Sequence, residues 1–277
     1  MPEGHVIHKL SHDLNHAFCH SSPLVSSPQG RFAHEAQLLT NHPFVRASAW
    51  GKHLFLEFEN DSPTHIVHIH LGLIGSFRFE PREHTPGHIR LKIDHPDNRD
   101  ILSAHLRGPQ WCRLISDQEQ HIATTKLGID PLRADTRTEH IAKIREKVMR
   151  SQRSIASLLM DQKLFAGVGN IYRAETLFRL RINPFTPGAQ LSAFDDIWQD
   201  LVFLMNEGVK TGRIDTVRPE HTPQAMNRPP RKDDHGGEVY VYRRQLLPCY
   251  ICASPIAHTT VEGRNLFWCP TCQNTNS

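Results

Sequence analysis

Four cysteines spaced Cys249-x2-Cys252-x16-Cys269-x2-Cys272 constrain the C-terminal end of the chain more than any other feature. Each Cys-x-x-Cys bends into a tight knuckle, and two knuckles together supply the four ligands of a tetrahedral, structural zinc site. The surrounding residues 239–277 are too few to bury a core of their own, so a single Zn2+ is expected to supply much of their folding energy. A redox dithiol is the other use of Cys-x-x-Cys, but it needs no second, matched pair. Paired free thiols also point to a reducing, intracellular compartment, and Cys19 and Cys112, left over, read as buried thiols. Between the knuckles, Glu262-Gly263-Arg264-Asn265 reads as a hairpin turn. An arginine exposed there suits a phosphate contact, or simply water.

The rest of the 277 residues leaves room for about two domains at ordinary domain size. No apolar run exceeds Leu201–Met205, which excludes a membrane-spanning helix, and the start, Met1-Pro2-Glu3-Gly4-His5, reads as no secretory signal. Net charge is only +3, yet residues 126–186 hold twelve Lys/Arg against six Asp/Glu. That local surplus suits an anionic partner, nucleic acid first, or a solvated helical face.

Hydrophobic periodicity then divides the chain. Val6, Ile7, Leu10, Leu14, Ala17 and Phe18 recur at helical spacing. Short alternating runs follow at Phe44–Trp50, His53–Phe58, Thr64–His70, Ser76–Phe79, His88–Ile93 and Trp111–Ile115, cut by turn residues, as in a β-sandwich or barrel. From Ile141 onward the period becomes helical, through Ile155–Leu159, Ile171–Phe178 and Leu191–Val209. The last of these carries a candidate capping box at Ser192 and Asp195, and a stop at Gly212. Residues 213–238, rich in proline and charge, read as a long mobile loop. The expected division is 1–118, a linker 119–135, 136–238 and 239–277, an α+β multidomain chain.

Two further motifs carry chemistry. Ala166-Gly167-Val168-Gly169-Asn170 stands ahead of a helix, with Asn170 at the N-cap; its backbone N–H groups can hold a phosphate, or the segment is a plain helical corner. At the chain start, removal of Met1 would leave Pro2 as a secondary amine. A terminal amine titrates near neutrality and is a nucleophile where lysine is mostly protonated. Glu3 beside it supplies an acid/base group.

Taken in order, these features resemble the formamidopyrimidine-DNA glycosylase/endonuclease VIII family, most closely its actinobacterial endonuclease VIII-type branch. The resemblance rests on Met-Pro-Glu-Gly, Trp50-Gly51-Lys52-His53-Leu54, and His70-Leu71-Gly72-Leu73-Ile74-Gly75. It continues through Leu159-Met160-Asp161-Gln162-Lys163, Phe165 to Glu175, and Arg264 with Cys269-Pro270-Thr271-Cys272-Gln273. It implies a β-sandwich led by an α-helix, a helix–two-turn–helix domain and a zinc-ribbon hairpin. It also implies a bifunctional DNA glycosylase and abasic-site lyase of base excision repair. Its partner would be damaged double-stranded DNA, with no membrane, and the enzyme would be a monomer in the bacterial cytoplasm, acting at the nucleoid.

By the same resemblance Pro2 attacks C1′ and forms an iminium link, Glu3 serves as acid/base at the sugar, and Lys52 assists proton transfer. Asn170 and Arg264 clamp phosphates, and Leu73 and Ile74 wedge into the gap left by an extruded base. Ala156, where the purine-specific branch has a lysine, turns the expected substrate toward oxidised pyrimidines. Leu106 to Cys112 lacks that branch's Arg–Phe pair, leaving Trp111 to stack or to serve as a core strand residue. Glu175 reads as a buried carboxylate bracing the Gly-rich turn. The histidines at 5, 8, 12 and 16, and the pair His68 and His70, read as hydrogen-bonding or solvated groups rather than metal ligands. The competing functions are a DNA binder that keeps the clamp without the chemistry, and a zinc-ribbon transcription or RNA factor. Pro2, Glu3 and Lys52 favour the enzyme.

Overall fold

Helix α1 (Gly4–Phe18) forms because Ile7, Leu10, Leu14 and Phe18 recur every three or four residues, and all four are buried. The computed structural model describes residues 2–83, 87–97, 103–232 and 237–274. It divides the chain between Lys126 and Leu127 into two compact units. Among the described residues no helix is long and apolar enough to cross a membrane.

In the first unit α1 is followed by β1 (Leu24–Ser26), α2 (Ala33–Leu39), β2 (Phe44–Trp50), β3 (His53–Phe58), β4 (Ile66–His70) and β5 (Ser76–Glu80). Then come β6 (Ile89–Asp94), β7 (Ser103–Arg107), β8 (Trp111–Ile115) and α3 (Asp117–Thr125). The strands make two four-stranded antiparallel sheets, ordered β1-β6-β7-β5 and β2-β3-β4-β8. Alternation does the work: Leu54, Leu56, Val67 and Ile69 enter one core with Leu91, Ile93, Ala104 and Leu106. Helix α1 packs on β2 and β3.

The expected strands lie within a residue or two of the observed ones, but β1, α2 and β7 carried no expectation. In β7, Ser103 and His105 look polar, yet both are fully buried. His105 bonds Ser103 at 2.9 Å and Glu80 at 3.1 Å, and Arg107 grips Glu80 with two 2.8 Å bonds. Satisfied in this way, polar residues hold a central strand. The start of the segment 119–135, through Thr125, is helical, since α3 begins at a capping box between Ser116 and Glu119.

The second unit holds α4 (Thr138–Met149), α5 (Ile155–Leu158), α6 (Asn170–Arg179), α7 (Phe194–Thr211), and the hairpin β9 (Ala257–Val261) and β10 (Arg264–Trp268). Helix α7 ends at Gly212 in the left-handed conformation (φ +71°), as expected, but its N-cap is Ala193 with no side-chain cap. The Ser192–Asp195 capping box is therefore absent. The N-cap of α6 is Gly169, and Asn170 is the first helical residue. Residues 239–277 do not keep a core to themselves: Tyr240, Tyr242, Leu266, Phe267 and Cys269 belong to one cluster with Ile171, Leu177, Phe178 and Leu201.

The segment 213–238, expected to be mobile, is tied along its described residues. Arg228 lies 4.1 Å from the Tyr250 ring and 2.7 Å from Glu238, and the Arg231 guanidinium donates to the carbonyls of Gly237 and Tyr242. Composition registers the prolines and charges of this segment but not these partners.

Candidate functional site

In the first unit Pro2 precedes Glu3, the N-cap of α1, whose backbone is extended (φ −111°, ψ 174°) and whose carbonyl accepts the Val6 N–H at 3.0 Å. Glu3 is 1% exposed. A carboxylate at a helix N-terminus is favoured by the unpaired N–H groups there. Met1, whose removal the expected role of Pro2 requires, lies outside the described residues. Lys52 occupies the two-residue turn joining β2 to β3, whose first position, Gly51, takes φ +58°. The helix carrying Pro2 and Glu3 thus packs on the hairpin carrying Lys52.

The same end of this sheet bears three turns. Besides the Lys52 turn, β4 runs out through His70 into Leu71–Gly75, and Gln110 leads into β8. Trp50, His53, His70 and Trp111 are register partners in one row across the four strands. Their rings stack: His70 on Trp111 at 4.6 Å, His53 edge-on to His70 at 5.1 Å. Nδ1 of His53 and Nε2 of His68 are 2.9 Å apart. Burial pushes His53 down to about 4 and His68 to about 3, helped by neighbouring histidine and by Arg113. Burial, and then Lys52, lowers His70. His68 and His70 are hydrogen-bonding groups, as expected, and Trp111 is half-buried with its ring against His70. Leu73 and Ile74 project from their turn, 70% and 89% exposed.

In the second unit Asn170 does not cap its helix. Its Oδ1 accepts from the guanidinium of Arg173, which also donates to the Asn265 carbonyl at 2.7 Å. A carboxamide held by its oxygen turns its two N–H donors the other way. Arg264 is the exposed first residue of β10, just past a Glu262-Gly263 turn in which both residues have positive φ. Asn170 and the strand bearing Arg264 are thus joined through one buried arginine, beside a cleft of about 270 Å³ lined by Arg153, Asp161, Gln162, Arg173, Glu262 and Arg264. Arg153 is matched by Asp161 at 3.0 Å and Glu262 at 3.4 Å, whereas Arg264 has no ion pair among the described residues and adds positive charge to the rim.

The four cysteine sulfurs lie within 4.8 Å of one another. Cys249 and Cys272 are 3.9 Å apart and Cys252 and Cys269 3.4 Å, too far for disulfides. Those spacings suit the edge of a tetrahedron around an ion with metal–sulfur bonds of about 2.3 Å. The N–H groups of Ile251 and Cys272 point at the sulfurs of Cys249 and Cys269, both at 3.4 Å, which stabilises thiolates. These residues are able to hold a metal ion.

Glu175 is fully buried but braces a different segment from the one expected. Its carboxylate accepts the Thr216 hydroxyl at 2.5 Å and the N–H groups of Tyr240, Val241 and Tyr242 at 2.7, 2.9 and 2.9 Å. Ala156 is also fully buried, so that position offers no cation. Cys19 and Cys112 are part-buried, and burial raises the Cys112 thiol to about 12. Sequence reasoning missed Arg173 and Gln110. An arginine on the apolar face of α6 was the available signal for the first; an ordinary turn residue gave none for the second.

The Formamidopyrimidine-DNA glycosylase N-terminal domain profile matches residues 1–110, and the Formamidopyrimidine-DNA glycosylase H2TH domain profile matches residues 127–219. The chain belongs to the formamidopyrimidine-DNA glycosylase family. Within that family it is 41% identical to endonuclease 8 1 of Mycobacterium tuberculosis, over 99% of this chain and 100% of the relative. Among solved structures, the MutM (Fpg) protein of Thermus thermophilus superposes with a TM-score of 0.73 at 26% identity, covering 100% of both chains. Lactococcus lactis Fpg (MutM), in a complex with N7-benzyl-Fapy-dG-containing DNA, gives 0.76 at 21% identity over 99% of this chain and 100% of that one, a likeness of fold.

Proposed function

We propose that the chain is a bifunctional DNA glycosylase and abasic-site lyase of base excision repair, acting on oxidised bases, pyrimidines foremost, in double-stranded DNA. The observation that carries this reading is the helix bearing Pro2 and buried Glu3, packed on the hairpin whose turn holds Lys52. With Met1 removed, the Pro2 nitrogen attacks C1′ while the base leaves with the electrons of its glycosidic bond and takes up the proton that the amine sheds, which restores the nitrogen's lone pair. Glu3 protonates the sugar ring oxygen as the ring opens, and the nitrogen's lone pair completes an iminium. Loss of a C2′ proton then expels the 3′ phosphate by elimination, and Lys52 is suited to shuttle protons at this stage. Asn170 and Arg264 supply sequence-independent grip on phosphates, and Leu73 with Ile74 fill the stack vacated by the flipped nucleotide. The metal of the four-cysteine site is zinc in this reading, a structural ion that keeps the strand of Arg264 in register.

Borohydride tests the chemistry. Reduction during turnover should link the processed protein covalently to an oxidised-pyrimidine duplex, and peptide mass spectrometry should map that link to the Pro2 nitrogen. Absence of a cross-link from protein whose Met1 is verified as removed would overturn the proposal.

A further inference from the structure

The tips of the 71–75 turn pose a physical problem. Leu73 and Ile74 are the two most exposed large apolar side chains described in the first unit, and burying each fully would be favourable by about 1.5–3 kcal/mol. A compliant turn would fold them back onto the protein. Three contacts oppose this. Leu71 is 3% exposed and anchors the base in the core. The Gly75 N–H closes onto the Leu71 carbonyl at 3.1 Å, so tightly that a Cβ at Gly75 would sit 2.2 Å from that oxygen. The leading half of the turn has a brace from outside it: Gln110.

Gln110 touches the turn in several ways. Its N–H donates to the His70 carbonyl at 2.9 Å, and its carboxamide neighbours the His70 ring. Nδ1 of that ring accepts the Gly72 N–H at 3.1 Å, which leaves the ring proton on Nε2. Gly72 has φ +71°, and a Cβ there would stand 2.9 Å from the Gln110 Cβ. The imidazole is therefore held between the carboxamide on one side and the turn's backbone on the other. We propose that Gln110 is a positioning residue which, through His70, keeps the turn rigid and Leu73 and Ile74 projecting into solvent. The claim about rigidity stands on this geometry alone; its consequence for DNA rests on the glycosylase reading.

The test is Gln110→Met in the full, metal-loaded chain, which removes the amide at nearly constant size. Hydrogen exchange without DNA reads the first part: the amides of residues 72–75 should exchange about tenfold faster in the variant, with the flanking strands unchanged. Unchanged exchange overturns the proposal, including the case in which duplex activity falls because Gln110 itself touches DNA. The second part is read by two substrates. Excision of an oxidised pyrimidine from duplex should fall about tenfold, while nicking of a single-stranded abasic oligonucleotide, which needs no wedge, stays within about twofold. 2-Aminopurine opposite the lesion should lose its fluorescence change. Parallel loss on both substrates would mean a merely structural role. Failure of the wild type to nick either substrate would sink the glycosylase reading and leave the exchange result to decide the rigidity claim.

Discussion

Glu175 shows how much one side chain can hold. Its carboxylate is the common acceptor for three successive backbone N–H groups and a hydroxyl, all buried. Glu175→Gln keeps the shape but turns an NH2 toward donors, at a cost of about 3 kcal/mol. Calorimetry should find Tm lowered by roughly 6–12 °C; an unchanged Tm would contradict the cage. The buried histidines make a second claim at this scale. His5 is pushed down to about 4 by burial and by His8, as His53 is by burial and its neighbours, with His68 at about 3. Unfolded, each would bind its proton near pH 6.5, so the unfolded chain holds more protons between there and pH 4. Their contribution to stability is complete above that window and is lost as the pH falls through it. Near pH 5 unfolding should take up about two to three protons from this set. The pH dependence of the denaturation midpoint should be shallower in His68→Gln by up to about one proton.

Among the elements, the hairpin of β9 and β10 and the 71–75 turn depend on opposite kinds of support. The hairpin is expected to depend on a metal at its four cysteines: chelation should release one metal per chain and lower Tm, with near-ultraviolet circular dichroism reporting the loss of packing around Phe267 and Trp268. Retention of that signal in metal-free protein would show that apolar packing suffices. The turn needs its glycines. Gly75→Ala forces a carbon against a backbone oxygen and should destabilise the first unit measurably. Leu73→Ala and Ile74→Ala, removing only exposed carbons, should shift stability by less than about 0.5 kcal/mol. The contrast matches what was readable beforehand. Strands that alternate cleanly, such as β3 and β4, were legible, and so were the cysteine pairs, because a local spacing encodes them. β7 was not, since its polar residues are satisfied by Glu80 from another strand. Nor was the start of α7, where packing of Phe194 and Ile197 replaces a cap.

For the whole molecule, near-neutral net charge conceals the basic stretch 126–186, and binding to any polyanion should weaken steeply with salt. Asn170→Ala and Arg264→Ala should each weaken duplex binding alike across sequences. The slope of log affinity against log salt should become shallower by about one for Arg264→Ala and little for the uncharged Asn170. A sequence-dependent loss would argue against phosphate contacts. The candidate residues themselves could be named from the chain alone, but the tie between Asn170 and the β10 strand could not, because Arg173 reaches Asn265 across more than ninety positions. That continuity bears on shuffling. A crossover between Lys126 and Leu127 hands over each apolar interior whole, whereas one at 238/239 would part Glu175 from Tyr240 and split a single interior between two parents. Chimeras joined at the first point should yield soluble, cooperatively melting protein; those joined at the second should inherit a ribbon that no longer fits its seat.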